Sequence, residues 1–174
     1  AVLSAMRESS GYHISVKGGR FLEAVAKADT IVFDKTGTLT YATPTVAAVI
    51  PFGGHDEAEM LRLAACLEEH YPHSMANAVV AEAKRHGLTH EEYHSQVQYV
   101  VAHGISSMVE GKKVIIGSAH FVFEDEGCRI PEGEQPKFDA LPAAYSQLYL
   151  CIDGELAAVI CIHDPLRREA REAV

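Results

Sequence analysis

Long apolar runs are absent from the sequence, and no stretch approaches the roughly 20 residues that a helix needs to cross a bilayer. The N-terminus also lacks the basic and then apolar pattern of a signal peptide. The four cysteines are widely spaced and form no C-x-x-C pair, so the sequence indicates neither a zinc site nor a redox motif. We therefore expect the chain by itself to be soluble, in a reducing, cytosolic setting.

Basic residues are in deficit, since 15 Lys and Arg stand against 24 Asp and Glu and give a net charge of -9. This balance argues against nucleic acid or an anionic membrane surface as the main partner. The ten histidines are scattered and define no metal-binding pattern. With 174 residues, 48% of them hydrophobic, the chain is long enough for one ordinary core or two small ones.

The first part of the chain reads as a strand that leads into a loop. Thr30 to Phe33 is a short apolar, β-branched run that ends at Asp34, which is typical of a buried parallel strand that delivers a polar residue to its carboxyl end. Helical patterns precede it at about residues 1–7 and 21–27. The sequence therefore predicts the start of an α/β domain.

The middle of the chain has a different pattern. Helices are predicted from about Asp56 and from Ser74 to His86, because apolar residues recur there at helical spacing. Short strands separated by glycine turns favour antiparallel pairing; they are predicted at 45–50, 97–101, 106–110, 113–116, 147–152 and 156–162. Residues 127–142 are predicted to be a loop. Asp164 and Pro165 then predict the start of a last helix, so the economical interpretation is an α+β domain inserted into an α/β domain.

The loop after the first strand has a chemical reason at each position. A carboxylate such as Asp34 is a suitable nucleophile for a phosphoryl group. Backbone N–H groups near Gly37 can hold phosphate oxygens, while Thr36 and Thr38 add hydroxyl donors. The carbonyl of Thr36 is available to Mg²⁺, a cation that prefers oxygen ligands and the company of phosphate.

Asp34 to Thr40 reads D-K-T-G-T-L-T and resembles the phosphorylation signature of P-type ATPases, within the haloacid-dehalogenase-like superfamily. The resemblance implies that Asp34 is the phosphoacceptor, that Lys35, Thr36 and Thr38 are catalytic, and that Asp34 and the Thr36 carbonyl are magnesium ligands. Phosphatases of the superfamily carry a second Asp two positions after the nucleophile, where this chain has Thr36. The aspartyl phosphate is therefore expected to be long-lived.

The linker between the two predicted helices resembles the nucleotide-binding signature of the heavy-metal-transporting class, a Glu followed after four residues by His-Pro-x-Ala. Glu68 and His73 have that spacing, and Ser74 stands in place of Pro. A carboxylate can accept from the amine of adenine, and an imidazole can orient the base. His70, three residues before His73, is a rival for the histidine role.

A glycine pair completes the resemblance on the nucleotide side. Gly104 and Gly117 match the family's G-x-G hairpin and its later Gly-Asn, whereas Ala102 and Ser118 replace the first Gly and the Asn. A glycine there permits close approach of the backbone to adenine or ribose. The resemblance thus predicts an ATP or ADP site at Glu68, His73, Ala102, Gly104 and Gly117.

The resemblance implies a partial haloacid-dehalogenase-like, Rossmann-like phosphorylation domain, with an inserted nucleotide-binding domain built on an antiparallel sheet flanked by helices. We place the first part of the phosphorylation domain at 1–43, the insertion at 44–157 and the start of the return at 158–174. Later family motifs, including the acidic magnesium-binding loop, do not occur in this sequence. The chain is expected to be a cytosolic piece of a membrane pump for a transition-metal cation, with the membrane helices and actuator domain as partners and with ATP and Mg²⁺ as cofactors.

Two other interpretations remain at this point. A soluble phosphatase with a cap insertion shares the nucleophile loop, although Thr36 argues against it. A non-catalytic nucleotide-sensing domain is the other, although the intact loop from Asp34 to Thr40 argues against decay. The transported ion cannot be read from these residues, because selectivity depends on ligands within the membrane. We expect the fragment to bind nucleotide but not to turn over ATP.

Overall fold

A computed structural model describes residues 2–88, 94–100 and 104–174, with the backbone alone for 94–100. Contacts divide the chain into two compact units, Ala1–Asp34 and Lys35–Val174. No helix among the described residues is both long and apolar enough to span a bilayer.

Two short helices make up most of the first unit. α1 is Val2–Gly11 and α2 is Gly19–Ala26, which confirms the helical patterns near the N-terminus. The helices contact each other, but neither contains a buried residue. Much of their apolar surface therefore lies open, with Leu3 83% and Val25 73% exposed.

The strand predicted at Thr30 to Phe33 is wrong. Residues 28–34 have no regular secondary structure, and Ile31 and Val32 are 74% and 91% exposed. A strand is stable only with a hydrogen-bonded neighbour, and no described residue of this unit forms a strand. The β-branched residues supply a preference for extended backbone, which is insufficient without that neighbour.

One antiparallel sheet organises the second unit, in the spatial order β1-β6-β5-β4-β3-β2. Its strands are β1 (Thr45–Pro51), β2 (His94–Val100), β3 (Gly104–Val109), β4 (Lys112–Gly117), β5 (Ser146–Ile152) and β6 (Glu155–His163). The predicted antiparallel sheet is confirmed. β6 runs on to His163, so the sheet extends beyond residue 157, where the insertion was predicted to end.

Two helices cover one face of the sheet, as predicted. α3 is Glu57–Glu68, and the carboxylate of Asp56 caps it by accepting from the N–H of Glu59 at 3.0 Å. α4 is Ser74–Arg85, with His73 as its N-cap residue. Their apolar stripes and the strands beneath form one core; its fully buried members include Met60, Ala64, Leu67, Val79, Ile105, Ile116, Leu150 and Ile160.

A second cluster of buried side chains forms another core, which is rich in aromatic residues. It includes Phe52, Ile115, Phe121, Tyr149, Cys151, Leu156, Val159 and Cys161. A helical turn at His120–Asp125 and the short helix α5 (Gln135–Asp139) contribute residues to this cluster. The segment predicted as a loop at 127–142 thus contains a short helix. Phe138 of this helix packs edge-on against Phe123, with ring centroids 5.5 Å apart, and this tertiary contact stabilises it.

The helix predicted to start at Asp164 and Pro165 is also wrong. The carbonyl of Pro165 instead accepts from the N–H of Tyr41 at 3.1 Å, and the N–H of Arg167 donates to the carbonyl of Leu39 at 2.8 Å. These bonds hold the segment extended, and helix α6 begins only at Ala170 and ends at Ala173. Backbone pairing with Leu39 and Tyr41 therefore prevents the helix that Asp164 and Pro165 would otherwise start.

Replacing Gly104 by Ala should destabilise the second unit by about 1–3 kcal/mol, the usual range for overpacking a core. The added Cβ would lie 2.4 Å from Cδ1 of Phe121 and 2.5 Å from the carbonyl oxygen of Ile116. Denaturant unfolding measures the effect. Ser106→Ala is the matched control, since Ser106 lies two residues along β3 and already carries a Cβ; an equal loss in both variants would contradict the packing argument.

Candidate functional site

The turn at Lys35–Leu39 contains three of the predicted catalytic residues, Lys35, Thr36 and Thr38. The N–H of Thr40 closes it by donating to the carbonyl of Lys35 at 3.0 Å, and Gly37 takes a φ of 80°, which favours glycine. Residues 35–38 are exposed. Asp34, the predicted nucleophile, is also exposed and is the last residue of the first unit.

Thr40 fixes the shape of this turn from within. It is only 1% exposed, and its hydroxyl accepts from the N–H of Gly37 at 3.2 Å and from that of Ala42 at 3.4 Å. The same hydroxyl donates to the carbonyl of Lys35 at 3.3 Å. A buried hydroxyl with all its bonds made holds the backbone of the loop in one conformation.

Arg167 is a candidate residue that the sequence analysis missed. Its Nε donates to the carbonyl of Thr40 at 3.1 Å and its Nη2 to the carbonyl of Gly37 at 3.2 Å. The guanidinium also lies 5.3 Å from the ring centroid of Tyr41. The only signal in the sequence was the position of Arg167 after Asp164 and Pro165. That position does not show that Arg167 contacts Gly37 and Thr40, about 130 residues earlier in the chain.

Lys35 connects the turn to the sheet. Its Nζ donates to the hydroxyl of Ser146 at 3.4 Å, and Ser146 is the first residue of β5. The next residue, Gln147, lines the cleft that contains the predicted nucleotide residues. Within the second unit, the turn at Lys35–Leu39 and this cleft are therefore linked through the start of β5.

Four of the predicted nucleotide-binding residues line a single cleft of about 270 Å³: Glu68, His73, Gly104 and Gly117. Its apolar wall consists of Ile105, Ile116 and Leu148, one from each of three adjacent strands. Ala102, the fifth predicted residue, lies outside the described residues. A larger groove of about 370 Å³ runs beside β1, but none of the predicted site residues lines it.

Glu68 is the unusual group of the cleft. Its side chain is 3% exposed, and its Oε2 makes no hydrogen bond with the described residues. Burial raises the pKa of Glu68 from 4.5 to about 7, because a carboxylate loses its hydration inside the protein. A buried, unsatisfied carboxyl that faces a cleft is an acceptor in need of a donor.

His73 stands beside it at the start of α4. Its Nδ1 accepts from the N–H of Ala76 at 3.1 Å, and its Nε2 lies 3.3 Å from Oε2 of Glu68. Partial burial lowers the pKa of His73. His70, the rival histidine, is exposed and is not among the residues that line the cleft.

Three further lining residues were not predicted as ligands: Met75, Ser118 and Gln147. The side-chain amide of Gln147 is oriented at both ends, because Nε2 donates to the carbonyl of Pro142 at 3.2 Å and Oε1 accepts from the hydroxyl of Tyr149. No motif marks Gln147 in the sequence. Ser118 was noted only as a departure from the family pattern.

The described residues contain no cluster of metal-binding side chains. None of them belongs to a group of three or more His, Cys, Asp or Glu side chains that could hold a metal ion. The predicted ligands, Asp34 and the carbonyl of Thr36, are oxygen donors of the kind that Mg²⁺ prefers, and Mg²⁺ commonly completes its octahedral shell with water and phosphate oxygens.

The haloacid dehalogenase-like hydrolase family model matches residues 28–174. A copper-exporting P-type ATPase of Bacillus subtilis is 30% identical, over 100% of this chain and 21% of the relative's length. A zinc-transporting PIB-type ATPase in an E2·Pi state has a TM-score of 0.61 at 28% identity and covers 100% of this chain and 28% of that one. The N-domain of a copper-transporting P-type ATPase shares the fold, with a TM-score of 0.58 at 24% identity over 68% of this chain and 99% of that one.

These findings confirm the resemblance to heavy-metal P-type ATPases, and they show that the chain spans only 21% to 28% of the length of these longer relatives. The chain belongs to the haloacid dehalogenase-like hydrolase family, and over its whole length it is similar to copper- and zinc-transporting P-type ATPases.

Proposed function

We propose that this chain is the nucleotide-binding and phosphorylation region of a P-type ATPase that moves a transition-metal cation across a membrane. The cleft beside Glu68 takes the adenine of ATP, and Asp34 accepts the phosphoryl group. Residues 1–43 and the end of the chain belong to the phosphorylation domain, and the antiparallel sheet with its helices is the inserted nucleotide-binding domain. The names of the copper and zinc relatives support the choice of cargo.

The observation that carries this proposal is the buried carboxyl of Glu68 at one end of an apolar cleft. Adenine is flat and apolar on its faces, so it suits a wall of Ile105, Ile116 and Leu148. Its exocyclic amine carries two N–H donors, and Glu68 offers an oxygen that makes no hydrogen bond with the described residues. One ligand thus supplies both the apolar surface and the missing donor.

The turn after Asp34 supplies the chemistry of phosphoryl transfer. An aspartate carboxylate attacks the terminal phosphorus of ATP, and ADP leaves as the acyl phosphate forms. Backbone N–H groups of a turn held by Thr40 and Arg167 are fixed before reaction, as stabilisation of phosphate charge requires. Mg²⁺, when bound, neutralises phosphate charge. Thr36 replaces the acid-base carboxylate of the phosphatases, which favours a lasting intermediate.

Titration of the 174-residue chain with ATP should shift the amide resonances of Glu68, His73 and Gly104 more than those of the β1 edge. Glu68→Ala should weaken ATP binding at least tenfold, because hydrogen bonds to charged groups contribute roughly 1.5–3 kcal/mol. NMR titration and calorimetry measure both effects.

Glu69→Gln is the matched control, since Glu69 is the next residue along the chain, is exposed and does not line the cleft. It should leave the affinity for ATP unchanged. Resonances that do not move at Glu68 and His73 while ATP binds elsewhere would refute the assignment of the cleft.

Glu68→Gln should stabilise the chain at pH 8 while it weakens nucleotide binding. The folded-state pKa of about 7 lies above the ordinary 4.5, so the folded chain holds a proton that the unfolded chain releases between these values. Stability is therefore lost as pH rises from about 4.5 to 7, by at most roughly 3 kcal/mol. Thermal unfolding at pH 5 and pH 8 should show a gain of about 1–3 kcal/mol at pH 8 and little at pH 5; a gain that is equal at both values would contradict the burial argument.

The 174-residue chain should not accumulate phosphate on Asp34 when it is incubated with labelled ATP and Mg²⁺. Among the described residues, no group of three or more His, Cys, Asp or Glu side chains could hold a metal ion, and residues 28–34 have no regular secondary structure. Acid-quenched gels measure the label. A hydroxylamine-sensitive label that disappears in Asp34→Asn would show that the chain is competent by itself.

A further inference from the structure

Two of the four cysteines lie next to each other in the second, aromatic core. The thiols of Cys128 and Cys151 hydrogen bond with each other, and both side chains belong to the same buried cluster. Both are free thiols in this structure. Because the two residues are far apart in the sequence, the fold itself brings the two sulfur atoms together.

Backbone hydrogen bonds place the two segments beside each other. Cys151 of β5 pairs with Leu156 of β6, and the N–H of Leu156 donates to the carbonyl of Arg129 at 2.8 Å. Arg129 directly follows Cys128, and its own N–H donates to the carbonyl of Gly154 at 2.9 Å. The segment that carries Cys128 is therefore held against the hairpin that carries Cys151.

Cys128 is the member of the pair that solvent can reach. It is 7% exposed, whereas Cys151 is 0% exposed. Two charged groups act on Cys128 from nearby, the ammonium of Lys113 on β4 and the carboxylate of Glu126, and they form an ion pair with each other. A small, uncharged oxidant can thus meet the sulfur of Cys128 first, with the sulfur of Cys151 behind it.

We propose that Cys128 and Cys151 are a redox-sensitive pair, which hydrogen peroxide oxidises to an intramolecular disulfide and which thiols reduce again. Disulfides in cytosolic proteins are usually transient and redox-sensing, and this agrees with the reducing setting expected for the chain. Neither cysteine lines the cleft beside Glu68. The modification is therefore a property of the second unit beyond the proposed nucleotide site.

The oxidation takes two steps that balance in atoms and electrons. The thiolate of Cys128 attacks one peroxide oxygen, the O–O bond breaks, and the hydroxide that leaves takes up a proton to become water. The sulfur of Cys151 then attacks the sulfenic acid: the S–S bond forms, the S–O bond breaks, and the hydroxyl leaves with the thiol proton as a second water. Each sulfur gives up one electron, and the two peroxide oxygens are reduced.

Burial makes this reaction slow at neutral pH. It raises the pKa of both thiols, because a thiolate loses its hydration inside the core. Glu126 also raises the pKa of Cys128, whereas the ammonium of Lys113 lowers it. Since only the thiolate reacts, the initial rate should rise about tenfold per pH unit between pH 7 and 8.5.

The disulfide ties the helical turn at His120–Asp125 to the sheet. The N–H of Cys128 donates to the carbonyl of Val122 in that turn at 3.0 Å, and Cys151 lies on β5 between β4 and β6. The closed loop contains α5 and the start of β5. Because closing a loop reduces the freedom of the unfolded chain, the oxidised chain should unfold at a higher denaturant concentration than the reduced chain.

Peptide mapping of the full 174-residue chain tests the pair. The reduced chain is treated with hydrogen peroxide without denaturant, and the remaining thiols are then alkylated in denaturant. We expect a product lighter by two hydrogen atoms, in which one disulfide joins the peptides of Cys128 and Cys151 while Cys66 and Cys161 are alkylated. Dithiothreitol should reverse the change.

Cys128→Ala and Cys151→Ala should each abolish this disulfide and the shift of the unfolding midpoint on oxidation. Cys161→Ala is the matched control, since Cys161 is equally buried in the same cluster, and it should keep both. The map of the unsubstituted chain identifies the bonded pair even where a variant fails to fold.

A disulfide between any other two cysteines, or a link between two chains, would overturn the inference. So would a link that forms only in denaturant, because the folded arrangement would then play no part. Oxidation of Cys128 to an acid while Cys151 stays open to alkylation would overturn it as well.

Discussion

The carboxyl of Glu68 is buried where the end of α3, the start of α4 and three strands meet. Its burial reduces the stability of the folded chain, because the charged group loses its hydration. Its ordinary surroundings would be water, yet it is 3% exposed and faces an apolar wall. An isolated carboxylate in such a place is destabilising. The rest of the sheet and both helices hold this group in position, and the proposed nucleotide would supply the donor that the carboxyl lacks.

The two cores explain how that position is kept. The cluster under α3 and α4 forms the floor of the cleft, while the second, aromatic cluster includes Phe121 and Tyr149. Gly104 lines the cleft and also contacts the second cluster. The ring of Phe121 by itself leaves no room for a Cβ at position 104. Close packing therefore accounts for the glycine whether or not a nucleotide approaches it.

Sequence reasoning succeeded where the signal was local. The periodicity of α3 and α4, the glycine turns of the sheet and the spacing of Glu68 and His73 depend on residues close together in the chain. It failed at Thr30 to Phe33, which needs a strand partner, and at Pro165, which pairs with Tyr41 across more than a hundred residues. The contacts of Arg167 are equally non-local, and no sequence pattern predicts them. No pattern predicts the hydrogen bonds that orient the amide of Gln147 either.

Those non-local contacts connect the turn at Lys35–Leu39 to the sheet that bears the cleft. The chain enters the sheet after Thr40 and leaves it after His163, and these two segments pair through Tyr41, Pro165 and Arg167. Arg167 also holds the carbonyl of Gly37, and Lys35 reaches the start of β5 beside Gln147. A shift of the sheet on filling the cleft would therefore act on the turn at both ends. Under the proposed function, coupling of this kind would require no contact between the nucleotide and the turn at Lys35–Leu39, because the paired segments are shared by both.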